Sequence, residues 1–222
     1  MRTELTVHLV RTALTVAAFV AATACAPTLA PVAAGATWLA AFLWAHDLYH
    51  GRLGLSRRGR DLALAIAGQI MLQSGHAVRV LHLRHHARPG APDDLEGRAV
   101  AIPLRRTLVS LPALLVVTRV EAYRAGDARS RCWQLFEGAL NVAAGAALLA
   151  TPGGRGYVLV ALALQATAPI WAGLLPHRAP SWLVRGARAL AFTRSAILAA
   201  LAFHELHHDA PHVPSARLRL MA

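Results

Sequence analysis

No lysine occurs among these 222 residues, and only two cysteines do. Two cysteines cannot build a disulfide framework, and no Cys-x-x-Cys pair offers a zinc ribbon or a redox site. Charge is scarce as well. Charged residues make up 15% of the chain, against roughly 25% in an ordinary soluble domain. Hydrophobic residues reach 56%, and the mean hydropathy is positive. Such a chain has too little polar material to cover a water-facing surface, and the same figures exclude disorder. The length suits one domain. What remains is an all-α integral membrane protein, read as a single domain over 1–222, with twelve histidines and a formal charge of +12.

Long charge-free runs locate the spans. From Thr12 to Ala45 no charged residue occurs for 34 positions. At about 1.5 Å per residue this is too long for one crossing of a ~30 Å core and suits two. Pro27 and Pro31 mark the turn, which predicts helices over 5–26 and 31–50, with Arg11 reaching toward the starting side. A second run from Gly138 to Pro176 holds one charge, Arg155, inside the turn sequence Thr151-Pro-Gly-Gly-Arg-Gly156. It predicts helices over 133–151 and 156–176. The expected architecture is two transmembrane helical hairpins, four spans in all. Asp61–Leu81, Thr107–Thr118 and Leu190–Phe203, too polar or too short to span, are expected as amphipathic helices at the inner interface. Thr23-Ala24-Cys25 makes a poor lipobox. Cleavage there would leave the first histidine cluster beside half a hairpin, so the segment is read as a span.

The 23 basic residues are all arginine. If both hairpins start in the cytoplasm, 22 of the 23 lie on that side and only Arg155 lies outside. The positive-inside rule predicts that sorting, whereas a nucleic-acid surface does not require it, so no nucleic-acid partner is expected. Both termini and the histidine groups are expected to face the cytoplasm.

Nine histidines fall in four places. His46 and His50 end the first hairpin, and His177 ends the second. His82, His85 and His86 form one cluster, and His204, His207 and His208 another. Spacings of i, i+3 and i+4 put each cluster's imidazoles on one helix face. Ionisable residues near membrane depth are expensive and usually functional, so the four groups read as metal ligands. His8, His76 and His212 stand apart; a lone histidine at a membrane interface is ordinarily structural. Two metal sites fit the pattern. His204-Glu205-Leu206-His207-His208 satisfies H-E-x-x-H, the motif of an intramembrane zinc metalloprotease with Glu205 as base, but that site leaves six histidines unused. Two ions use all nine. With few carboxylates on offer this is not the soluble Glu and Glu-x-x-His bundle, and nine imidazoles favour two irons.

The sets His46-Asp47-x-x-His50-Gly51, His82-x-x-His85-His86 and His204-x-x-His207-His208 resemble the three histidine boxes of the membrane fatty acid desaturase and hydroxylase superfamily. Within it the chain is most similar to bacterial carotenoid ketolases. The shared features are Pro89-Gly90 and Asp93-Asp94 after the second box, Leu175-Pro-His-Arg178 before the third, and Pro211 and Pro214 after it. The resemblance spans about residues 46–214. Three positions depart from the pattern: Gly173 stands where acyl-CoA desaturases carry Asn, Pro92-Asp93-Asp94-Leu95 replaces Asp-Pro-Asp, and Ser215-Ala216 replaces two tryptophans.

The resemblance implies two Fe(II)/Fe(III) ions held by the nine histidines, with O2 as co-substrate. The substrate would be lipid-soluble, a carotenoid or an acyl chain among membrane lipid. It implies the bacterial inner membrane as location. Asp47, Glu205 and Asp209 are candidates to fix ligand tautomers, and His212 is a spare ligand or second-sphere donor. No GxGxxG and no four-cysteine set is present, so an external electron donor such as ferredoxin is implied. The arginine-rich inner face would suit an acidic one, although topology and lipid phosphate also account for those arginines.

Overall fold

The computed structural model describes residues 2–193 and 196–221, and the described residues are helical with no strand among them. The chain divides into two compact units, Met1–Val80 with Arg119–Gln165, and Leu81–Thr118 with Ala166–Ala222.

The first unit begins with the expected hairpin. Helix α1 (Arg2–Cys25) and α2 (Ala30–Tyr49) are joined by a single 3-10 turn at Pro27–Leu29. The Thr37 hydroxyl donates across the hairpin to the Thr15 carbonyl at 2.9 Å, a polar contact between helices that lipid could not offer. Val10, Leu14 and Val20 stand exposed along α1, as side chains facing lipid tails do. By length and composition three helical stretches can cross a membrane, Thr3–Cys25, Pro27–Tyr49 and Pro152–Arg178. The third expected span, over 133–151, falls in α7 (Ala128–Leu149), whose Gln134, Glu137 and Asn141 set it apart from those three.

Asp61–Leu81 is not one amphipathic helix. It divides between α3 (Arg57–Met71) and α4 (Gly75–Ala87), broken at Leu72, which takes a left-handed φ of 52°. Ser56 caps the start of α3 by accepting from the Gly59 amide. Its last carbonyls, which helix geometry leaves without intrahelical donors, are met by side chains. Trp38 Nε1 and Gln165 Nε2 each donate to the Met71 carbonyl at 2.9 Å, and the Tyr157 hydroxyl donates to that of Ile70. Gly75 makes the tight turn possible: a Cβ there would lie 2.5 Å from the Leu64 carbonyl oxygen. This break aims α4, which carries the second histidine box.

Two further short segments differ from expectation. Thr107–Thr118 belongs to a 22-residue helix, α6 (Leu104–Ala125), which follows the short α5 (Arg98–Ala101) and keeps Pro112 inside it. Length restores what one missing amide bond removes. The segment then passes through α7 to α8 (Pro152–Ala168), which continues through a π-helical turn, Pro169–Leu174, into α9 (Leu175–Arg178). Leu190–Phe203 is not one helix either. It is a 3-10 turn at Ala191–Thr193 followed by α11 (Ala196–Ala202), after α10 (Ser181–Ala189); Arg194 lies outside the described residues.

The second unit has its own apolar core, built from Ala187, Ala199, Ala202, Phe203 and Leu218 with Leu198 and Leu206 against them. That core seats α12 (His204–Asp209), six residues carrying the third box.

Candidate metal centre

Seven of the nine predicted ligands belong to the second unit. His82, His85 and His86 lie on α4, His177 on α9, and His204, His207 and His208 on α12. The loop after α4 folds back onto the second box. Gly90 takes a positive φ of 76° after Pro89, and Arg84 and Arg88 both hold the Asp93 carboxylate. Asp94 then points inward, accepting from the Gly90 amide at 2.8 Å, the Gly97 amide at 2.9 Å and His85 Nδ1 at 2.8 Å. A carboxylate only accepts, so His85 carries its proton on Nδ1 and keeps a lone pair on Nε2. Glu96 does the same for His82, at 2.8 Å from its Nδ1. Such outer partners fix ring orientation and raise ligand basicity.

The remaining nitrogens converge. His204 Nε2 lies 3.0 Å from His177 Nε2 and 3.1 Å from His208 Nε2. One nitrogen from each of His85, His177 and His208 falls within 4.8 Å of the other two. His86 stacks on His208 with ring centroids 4.3 Å apart, and His207 lies edge-on to His86 at 4.6 Å. Burial, reinforced by neighbouring imidazoles, pushes the pKa of His86 down to about 2, of His204 to about 3 and of His208 to about 4. The rings are therefore neutral at physiological pH, the form a metal requires. Imidazole donors of this kind suit iron, zinc or copper, and the donor set fits the implied metal.

His46 and His50 end α2 in the first unit, their ring centroids 5.5 Å apart. Asp47 is 2% exposed, with its Oδ1 3.8 Å from His46 Nδ1. Glu205, Asp209 and His212 are exposed. Spacing along the chain does not pair Asp94 and Glu96 with particular imidazoles; the acidic run after the second box is their signal. No local pattern announces the π-helical turn that precedes His177, a distortion often found at functional sites. Gly173 lies in that turn, where a Cβ would come 2.9 Å from the Glu96 carbonyl oxygen. Glycine at this position thus lets the Glu96 backbone approach.

A family model described as fatty acid desaturase matches residues 19–222. The chain belongs to the fatty acid desaturase family. Membership makes it a membrane oxidoreductase of the desaturase and oxygenase type, working on lipid-soluble material. It also favours oxidation over the peptidase reading of H-E-x-x-H. No curated protein and no solved structure matches the chain. In this desaturase-family protein the matched stretch takes in all four histidine groups, whereas His8 and Arg11 of α1 precede it.

Proposed function

We propose that this single desaturase-like domain is a non-haem di-iron oxidase that uses O2 and external electrons to oxidise a C–H bond of a lipid-soluble substrate. The ligands assigned are His46, His50, His82, His85, His86, His177, His204, His207 and His208. The observation that carries the reading is the convergence of imidazoles, two of which, His85 and His82, have their outer nitrogens held by Asp94 and Glu96. When bound, two irons supply O2 activation and hydrogen abstraction. The chain's own part is to present lone pairs in fixed directions and to lay one substrate carbon beside them, screened from water.

The preferred substrate is a carotenoid ring, oxidised twice at one methylene. Each oxidation consumes one O2, two electrons and two protons; the first yields an alcohol and water, and the second a geminal diol that loses water to the ketone. Leu175-Pro-His-Arg178 and Pro89-Gly90 support this choice. The family description favours the second reading, desaturation of an acyl chain, in which one O2, two electrons and two protons turn CH2–CH2 into CH=CH with two waters released. The electrons would come from an external donor with an acidic face, docking on the arginine-rich side. That side is assigned to the cytoplasm of a bacterial inner membrane, and reporter fusions after Arg98 that prove active in the periplasm would overturn it.

Metal analysis of the purified protein tests the core of the proposal: two irons per chain are expected, and one zinc with peptidase activity lost in Glu205→Gln would overturn it. Expression in a host that accumulates β-carotene separates the substrates. Red-shifted pigments with new carbonyl masses support ketone formation. Unchanged pigment with new double bonds in membrane acyl chains supports the desaturase.

A further inference from the structure

The first box has a support that begins outside the family-matched stretch. His8 and Arg11 lie one turn apart on α1, and His8 is 5% exposed. Arg11 Nη2 donates to His8 Nδ1 at 2.7 Å. A guanidinium only donates, so His8 must accept at Nδ1 and carry its proton on Nε2. That Nε2 donates to Asp47 Oδ2 at 3.0 Å. Arg52, its side chain wholly buried, donates from Nη1 to Asp47 Oδ1 at 3.2 Å. The Asp47 carboxylate is thus gripped from both sides, by α1 and by the chain just beyond α2. Its Oδ1 is turned toward His46 Nδ1. The three hydrogen bonds from Arg11, His8 and Arg52 are directional, each with one donor and one acceptor, and they fix the carboxylate 3.8 Å from His46 Nδ1.

We propose that His8 is a positioning residue for the first histidine box. With Arg11 and Arg52 it locks the Asp47 carboxylate against His46 Nδ1, which leaves His46 Nε2 as the metal-facing nitrogen. The inference rests on His46 being an iron ligand. A purely structural ion pair tying α1 to α2 would use the same residues, so the test needs a readout that such a tie would not move.

His8→Leu removes the donor, and His8→Gln keeps an N–H able to reach Asp47. Purified full-length protein is loaded with iron, and two quantities are followed: release of iron to a chelator, and the Mössbauer spectrum. His8→Leu is expected to hasten release by about 10–100-fold, the range found when an outer partner of a metal ligand is lost, and to change the signal of one iron of the two. His8→Gln is expected to restore both. If His8→Leu does not fold, Arg11→Met frees His8 Nδ1 without emptying the site and should shift release in the same direction. Iron-loaded wild type with unchanged release and spectrum in the variants, whatever their melting temperature, overturns this inference alone. Wild type that holds no iron overturns the di-iron reading and this inference with it.

Discussion

Two histidines on the same helix meet opposite fates. His76, in the first unit, has Nδ1 2.8 Å from Glu137 Oε1 and Nε2 3.4 Å from Asp61 Oδ1, with Trp133 stacked on its face at 5.0 Å. Both nitrogens face carboxylates, Glu137 on α7 and Asp61 on α3. His85, in the second unit, gives one nitrogen to Asp94 and sits among His177, His208 and His86. Its other nitrogen has a lone pair and imidazole neighbours. An imidazole set between acids of two other helices ties helices together, whereas one anchored on a single side is placed to serve as a ligand. A carboxylate count around each ring, rather than histidine spacing, separates the two roles.

That comparison is broken most severely at the ligands. His85→Ala and His208→Ala should each remove at least one of two irons and abolish substrate oxidation, with metal analysis and product assays as the measurements. Replacement of His76 should leave the iron content at two.

The closed network should cost stability instead. Glu137 is fully buried and accepts from Ser74, the His76 amide and His76 Nδ1. Removing one member of a buried pair costs about 3–5 kcal/mol, so Glu137→Ala should lower the melting temperature strongly in detergent. The fraction that stays folded should still bind iron. Loss of iron from the chain that stays folded would erase the distinction between the units.

Asp94→Asn sharpens the open side. The amide cannot accept from the His85 N–H and both loop amides as the carboxylate does, and iron affinity should fall about 10–100-fold. Chelator competition reads this directly.

Asp61 offers the smallest effect and a defined pH window. Burial pushes its carboxyl up, but the Arg129 hydrogen bond at 2.8 Å and the nearby His76 and Arg129 charges outweigh it, and the group titrates below the usual carboxylate range. Its stabilisation is present above the unfolded value of about 3.9 and is lost as pH falls through the lower, folded value. Asp61→Asn should therefore melt below wild type at pH 7, with the gap narrowing toward pH 3. A gap independent of pH would remove the ionic explanation.

Much of the first hairpin was legible. Expected helices over 5–26 and 31–50 became Arg2–Cys25 and Ala30–Tyr49, because a charge-free run and two prolines are local signals. The break between α3 and α4 was not legible. It falls at a leucine, not a glycine, and it stands because Trp38, Tyr157 and Gln165 satisfy the carbonyls around it. Those three residues are distant in sequence. The acids around the metal ligands show the same limit. Adjacency to a box singled out Asp47, Glu205 and Asp209, and of these Asp47 alone is buried. Asp94 and Glu96 hold the second box, and they lie 8 to 14 residues beyond the histidines of that box.

Composition and histidine spacing by themselves determined that this is a helical membrane protein with grouped histidines, because each is a property of residues counted along the chain. Only the tertiary structure decided which imidazoles gather together and which carboxylates anchor them. Hydrogen bonds between residues 9 to 61 positions apart make that choice, and a helix-period pattern carries no record of them.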